Sequence, residues 1–144
     1  MTVPAAAAVA LIFVWLGMVL AISFLEAPLK FRAPGVTLQI GLGIGRLVFR
    51  ALNTVEVVLA VLVASALALG APSAAGSIGF AMAATALVLQ LVAVRPRLAR
   101  RSDAVLAAAP HGDGQPRSRV HYAYVGLELI KTVGLVTAGI ALLR

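Results

Sequence analysis

Cysteine is absent from all 144 residues of the chain. Structural disulfides, thiolate metal centres and thiol redox catalysis are thereby excluded. Histidine is nearly absent: with two in the chain, a multi-histidine metal site or a bis-histidine haem would need a symmetry-related partner. The residues themselves assign no metal, no cofactor and no catalytic group. Charge is scarce and one-sided. Charged residues make up 12% of the chain, about half the share of a soluble domain. Acidic residues number 5 against 12 Lys and Arg, for a net charge of +7. That surplus flanks apolar runs, which points to anionic lipid headgroups and away from nucleic acid.

What fills the chain is apolar. Hydrophobic residues make up 62%, and the mean hydropathy is +1.05. A soluble protein of this size has no interior able to hide so much apolar surface, so a bilayer must cover it. Runs of bilayer length, about 20 residues, fall near 5–25, 46–69, 77–95 and 120–143. The expected fold is all-α: a single polytopic domain over 1–144, with four transmembrane helices in a bundle. The opening "MTVPAAAAVALIF" has no positive n-region, so its run reads as a retained helix and not as a signal peptide.

The connections differ in character. In "EAPLKFRAPG", Pro28 and Pro34 discourage helix, which predicts a structured hairpin over 26–45 holding Glu26, Lys30 and Arg32. "GLGIG" follows with no strand before it, so a phosphate loop is a weak reading. Gly41 and Gly45, four apart, fit close helix packing better. "GAPSAAGS" is a short uncharged turn. The connection over 96–119 is long and polar. Its "SDAVLAAA" suggests a brief interfacial helix capped by Ser102 or Asp103, and its "PHGDGQP", with a solvated His111, reads as flexible. Residues 104–114 are expected to be dispensable.

Lys30 and Arg32 follow the first run, and Arg95, Arg97, Arg100, Arg101, Arg117 and Arg119 follow the third. The middle turn has no Lys or Arg, and the tail has only Arg144. The positive-inside rule then places 26–45 and 96–119 in the cytoplasm and both termini outside. Usage rich in Ala, Val, Leu and Arg suggests a bacterial inner membrane.

Polar residues inside the apolar runs carry the functional signal. At about 100° per residue, Arg46, Arg50, Asn53 and Glu56 fall within an arc of about 120°. His121, Tyr124, Glu128 and Lys131 share a similarly narrow face of the last run. The spacing repeats at i, i+7 and i+10: Arg46, Asn53, Glu56 against His121, Glu128, Lys131. With a rise of about 1.5 Å per residue, Glu56 and Lys131 both lie roughly 15 Å deep. A lone charge there costs about 3 kcal/mol, which facing stripes of opposite sign would largely remove. The second and fourth helices are therefore expected to be neighbours, with Glu56 on Lys131, Asn53 near Glu128 and Arg46 near His121, within one chain or across a subunit boundary.

Such a seam can be packing glue alone. It can also be functional, because Glu56 and Glu128 share one deep cation. One carboxylate must then be neutralised by Arg50, His121 or another subunit, or take up a proton. Trp15, mid-helix, reads as packing. Ser23 and Gln90 read as interhelical hydrogen bonders, and Tyr122 and Tyr124 as an interfacial belt.

"WLGMVLAISFLEAPLKF" followed by "GRLVFRALNTVE" resembles small four-helix bacterial membrane proteins related to the domain-of-unknown-function family that includes transmembrane protein 205. That resemblance implies the fold and no activity. Arg46, Asn53 and Glu56, with an Arg-Ala pair between them, resemble the second-helix signature of the membrane-associated eicosanoid and glutathione metabolism (MAPEG) superfamily. This resemblance implies a trimer binding glutathione through Arg46, Asn53 and Glu56. The Arg-Ala pair is shifted by one residue, and no tyrosine- and arginine-rich third-helix segment matches.

Three functions follow as expectations. The first is an oligomer that binds or moves a proton, ion or small solute through the seam. The second is an accessory subunit of a larger membrane complex, and the third a MAPEG-like enzyme.

Overall fold

The computed structural model describes residues 1–107 and 119–144. Four helices make up the bundle: α1 (Val3–Arg32), α2 (Leu38–Leu69) and α3 (Ala74–Ala104), then α4 (Arg119–Leu143). Each is long and apolar enough to cross a membrane, and no strand occurs among the described residues. Large apolar side chains such as Val14, Leu47, Val61, Val92 and Val133 cover the outside of the bundle. That surface is suited to lipid and unsuited to water.

The helix starts follow from hydroxyl caps. Thr2, Thr37 and Ser73 precede α1, α2 and α3 in extended conformation. Their hydroxyls accept the N–H of Ala5 at 3.4 Å, Ile40 at 3.2 Å and Gly76 at 3.2 Å. Each satisfies one of the donors that a helix start leaves open.

Helix ends depart from the sequence expectation. α1 continues through Pro28 to Arg32, so the hairpin expected from residue 26 shrinks to a turn over 33–37. There Gly35 takes a φ of +78°, open to glycine without steric cost. A π-helical turn over Leu20–Glu26 precedes Pro28, and a second over Gln90–Val94 precedes Pro96 in α3. The widened turn accommodates the missing donor and the ring, so the chain stays helical. α3 then remains helical through Ala107. Ser102 and Asp103 therefore lie inside a long helix and cap no separate one. "PHGDGQP", with His111, lies outside the described residues.

α1 packs along α2 and α4, α3 packs most closely along α4, and α2 meets α3 only sparsely. Glycines set the tightest contact. A Cβ at Gly79 would fall 2.6 Å from the Ala138 backbone nitrogen, and one at Gly134 would fall 2.7 Å from the Gly79 carbonyl. With Ala83 and Ala138 they form facing strips of small residues. Gly41 and Gly45 serve a related end, seating Phe31 and Lys30 of α1 against α2. The backbones of α2 and α4 stand diagonally across the bundle, which corrects the expectation that they are neighbours. Both termini and the turn over 70–73 meet at one end. The apolar core includes Ile12, Leu59, Val63, Leu135 and Ala138.

Candidate functional site

The long side chains of α2 and α4 nevertheless meet at the bundle axis. Lys131 on α4 places its ammonium 2.5 Å from Glu56 Oε1 on α2. The same ammonium lies 2.9 Å from Gln90 Oε1 on α3, and 3.3 and 3.2 Å from the two oxygens of Glu128. Trp15 on α1 donates its indole N–H to Glu56 Oε1 at 2.9 Å. With its amide turned so that both ends are satisfied, Asn53 donates to Glu56 Oε2 at 2.9 Å. It then accepts from Arg95 of α3, from Nη1 at 2.5 Å and Nε at 3.0 Å. Glu56, Gln90 and Lys131 are 0% exposed. All four helices contribute, and one chain completes the network.

Arg95 alters the electrostatic account. Sequence reasoning left two carboxylates with one deep cation; the structure brings a second cation to the network through Asn53. With all four ionised, Glu56, Glu128, Lys131 and Arg95 would together carry no net charge. Sequence reasoning counts Arg95 only among the arginines that set the topology, because five residues separate it from Gln90, about 140° apart on an α-helix. The π turn closes that angle. The Arg95 N–H bonds to the Gln90 carbonyl, an i→i+5 link that stacks the two side chains on one face. Pro96 was the available hint, since helix irregularities gather at proline.

Other expected members fall elsewhere. Arg50 is exposed, and its backbone carbonyl accepts the Thr54 hydroxyl at 3.0 Å; it takes no part in the seam. Arg46 pairs with Asp103 on α3 at 2.6 Å, in place of the expected His121. His121 is exposed and sits edge-on to Tyr122. Asn53 finds Glu56 and Arg95 where Glu128 was expected. Tyr124 is buried, edge-on to Phe49 at 5.7 Å, so it belongs to the bundle interior and not to a belt, whereas Tyr122 is exposed. Ser23 Oγ is buried without a hydrogen-bond partner, although an interhelical bond was expected of it. Glu26 and Lys30 form their own pair at 3.5 Å. The Lys30 ammonium lies 5.6 and 5.3 Å from the Phe31 and Phe49 rings, and Arg32 ends α1 in the open.

Together these residues form a polar column. It begins at the half-exposed Arg46–Asp103 pair, continues through Arg95 and Asn53, and ends at Glu56, Lys131 and Glu128. Beyond it, Leu59, Val63, Leu135 and Ala138 close the axis. Among the described residues no three His, Asp or Glu side chains gather as metal ligands. The arrangement can hold a proton or a hydrogen-bonding solute. No family model, curated protein or solved structure matches the chain.

Proposed function

We propose that this is a multi-pass membrane protein that admits a proton or a small polar solute to its buried network from the end bearing the charged connections. The observation that carries this is the one-sided polar column, which stops beneath an apolar plug. A conducting path needs polar groups on both sides of its midpoint, so binding from one face fits better than passage across. Access lies between α2 and α3, where backbone packing is sparse and the Arg46–Asp103 and Asn53–Arg95 pairs make the crossing. The lysine and arginine distribution supports a cytoplasmic mouth with both termini outside, in a bacterial inner membrane, with anionic headgroups against the exposed Arg97 and Arg100. Because one chain completes the network, oligomerisation is not needed to build it.

A hydrophobic carbodiimide, which reacts with protonated carboxyl groups inside membranes, tests the reading. Labelling is expected at one of the two network carboxyls, Glu56 or Glu128. Glu56 is held by Lys131, Trp15 and Asn53, and Glu128 by the same Lys131. Trp15, the only tryptophan, reports the Glu56 end through its fluorescence. No labelling under any condition, with unchanging Trp15 emission, would remove the uptake reading.

A second reading, an accessory subunit whose seam is glue, is favoured by the sealed and charge-balanced network. Replacing the four charged groups together by neutral residues of like size would leave such a subunit inserted and functional in its complex. The MAPEG-like reading, with glutathione between subunits, has less support. Asn53 and Glu56 face the interior of one protomer, and Arg46 is tied to Asp103. Glutathione that shifts Trp15 emission in a trimer would restore it.

A further inference from the structure

We infer that the groove between α3 and α4 seats one acyl chain of an anionic phospholipid, whose phosphate is held by Arg97 and Arg119. The groove has a volume of about 450 Å³ and is lined by Ile78, Met82, Thr85 and Leu89 of α3 with Leu127 and Ile130 of α4. Ile78, Leu89 and Ile130 are exposed on the outside of the bundle, so the groove opens toward lipid. Leu89 and Ile78, eleven residues apart, lie within about 20° of each other on α3. Arg97 continues their line. Eight residues from Leu89 would carry it about 80° away on a regular helix, but the π turn over Gln90–Val94 absorbs one of them and leaves about 20°. Its guanidinium folds back along α3 to donate to the Ala93 carbonyl at 2.6 Å, which leaves its other N–H groups for a ligand. On α4, Arg119 is eleven residues from Ile130 and about 20° from it. The two arginines stand level. Gly79 packs against Gly134 and Ala138. Arg97 is 18 residues beyond Gly79 toward the charged end, and Arg119 is 15 beyond Gly134 and 19 beyond Ala138. Both therefore lie about 26 Å along from that contact, and α3 still touches α4 beyond Pro96.

Charge selects the occupant. The four carboxylates among the described residues are committed elsewhere: Glu26 to Lys30, Asp103 to Arg46, and Glu56 and Glu128 to Lys131. Arg97 and Arg119 are exposed, and Arg100 adds a third exposed guanidinium further out on α3. Planar guanidinium groups bind phosphate oxygens well, and the apolar groove beneath them fits a hydrocarbon chain. A phospholipid supplies both in one molecule. A headgroup carrying an amine would set its own cation against the arginines, so the fit is to a headgroup of net negative charge. A second copy of the chain in the same orientation would bring like-charged arginines to the same depth, which disfavours it.

The seat requires only that this end of the bundle meet lipid headgroups, so it is independent of the uptake reading and of its carbodiimide test. Native mass spectrometry of the detergent-purified protein, offered equal amounts of phosphatidylglycerol and phosphatidylethanolamine with the same acyl chains, provides the test. One phosphatidylglycerol per chain, retained in preference to phosphatidylethanolamine, is expected in the wild type. Arg97→Gln and Arg119→Gln should each weaken it roughly fivefold. The pair Arg32→Gln and Arg50→Gln removes as much charge from exposed positions on α1 and α2 and should leave it unchanged. Thr85→Trp, which fills the groove and touches no charge, should weaken it too. Equal retention of both lipids overturns the inference, and so do Arg97 and Arg119 variants that bind no worse than the Arg32 and Arg50 pair. Binding indifferent to Thr85→Trp would leave a headgroup contact with no seat for the chain and overturns it as well. A dimer that excludes the lipid would do so in favour of a second copy. Circular dichroism checks folding, and if Thr85→Trp does not fold the arginine variants decide.

Discussion

At the residue scale, Lys131 governs the interior. It pairs with two carboxylates at once, and its loss leaves both buried with one remaining cation, Arg95, which reaches Glu56 alone through Asn53. Lys131→Ala should therefore destabilise the bundle by roughly 3–5 kcal/mol, read as a lower denaturation midpoint in detergent. Adding Glu56→Gln should recover part of that loss, and adding Glu128→Gln more, because a neutral amide needs no counter-charge. If neither addition helps, the damage is to packing and the electrostatic account fails. Trp15→Phe is a milder probe. It keeps most of the buried ring and deletes one donor to Glu56, so a loss of about 1–2 kcal/mol is expected, again by denaturation midpoint. A far larger loss would mean that the indole's bulk, not its N–H, is what matters there.

At the element scale, small residues and π turns decide how the helices meet. Gly134→Ala would set a methyl against the Gly79 carbonyl and the Ala83 nitrogen, atoms of a backbone that cannot yield without moving α3. Destabilisation of roughly 1–3 kcal/mol is expected from such overpacking. Gly126, on the same helix, has open space where its Cβ would go, so Gly126→Ala should be neutral or mildly stabilising through helix propensity. Equal midpoints for the two variants would refute the close-approach account of α3 and α4. Deleting Val92 carries a different expectation. It removes the extra residue of the π turn and makes Arg95 the fourth residue after Gln90, about 40° away on a regular α-helix, so the two side chains stay on one face. Trp15 emission should change little and far-ultraviolet circular dichroism should stay helical; a large change in emission would mean that the π turn itself, and not the register it keeps, holds Arg95 on Asn53.

At the scale of the whole molecule, the two ends of the bundle are chemically distinct. One gathers both termini and the uncharged turn over 70–73; the other gathers the arginines and the mouth of the polar column. Single cysteines at Ser73 and Ser102 should therefore label from opposite sides in intact cells, with Ser73 reached from outside by an impermeant maleimide. Labelling of Ser102 from outside would invert the proposed orientation and move the mouth of the network with it. The same experiment bears on the recess beside the termini, which would then face the cytoplasm.

Much of this was legible in the chain because bilayer physics reads local composition. Length and hydropathy fix four helices. The repeated spacing fixed Glu56 and Lys131 at one depth, where a buried charge leaves few choices but its opposite. Their contact followed even though the helices bearing them are diagonal, since a lysine side chain reaches across a bundle axis that two backbones do not share. Tertiary structure decided the rest. Arg95 and Gln90 joined the network through a π turn that no periodicity foretells, because it breaks the very period on which such readings depend. Gly79 and Gly134 found each other across α3 and α4, a contact that exists only once two helices are docked. Arg46 turned to Asp103 because α3 continues past Pro96 and carries that carboxylate alongside α2. Sequence set which groups had to be paired; the path of α3 chose their partners.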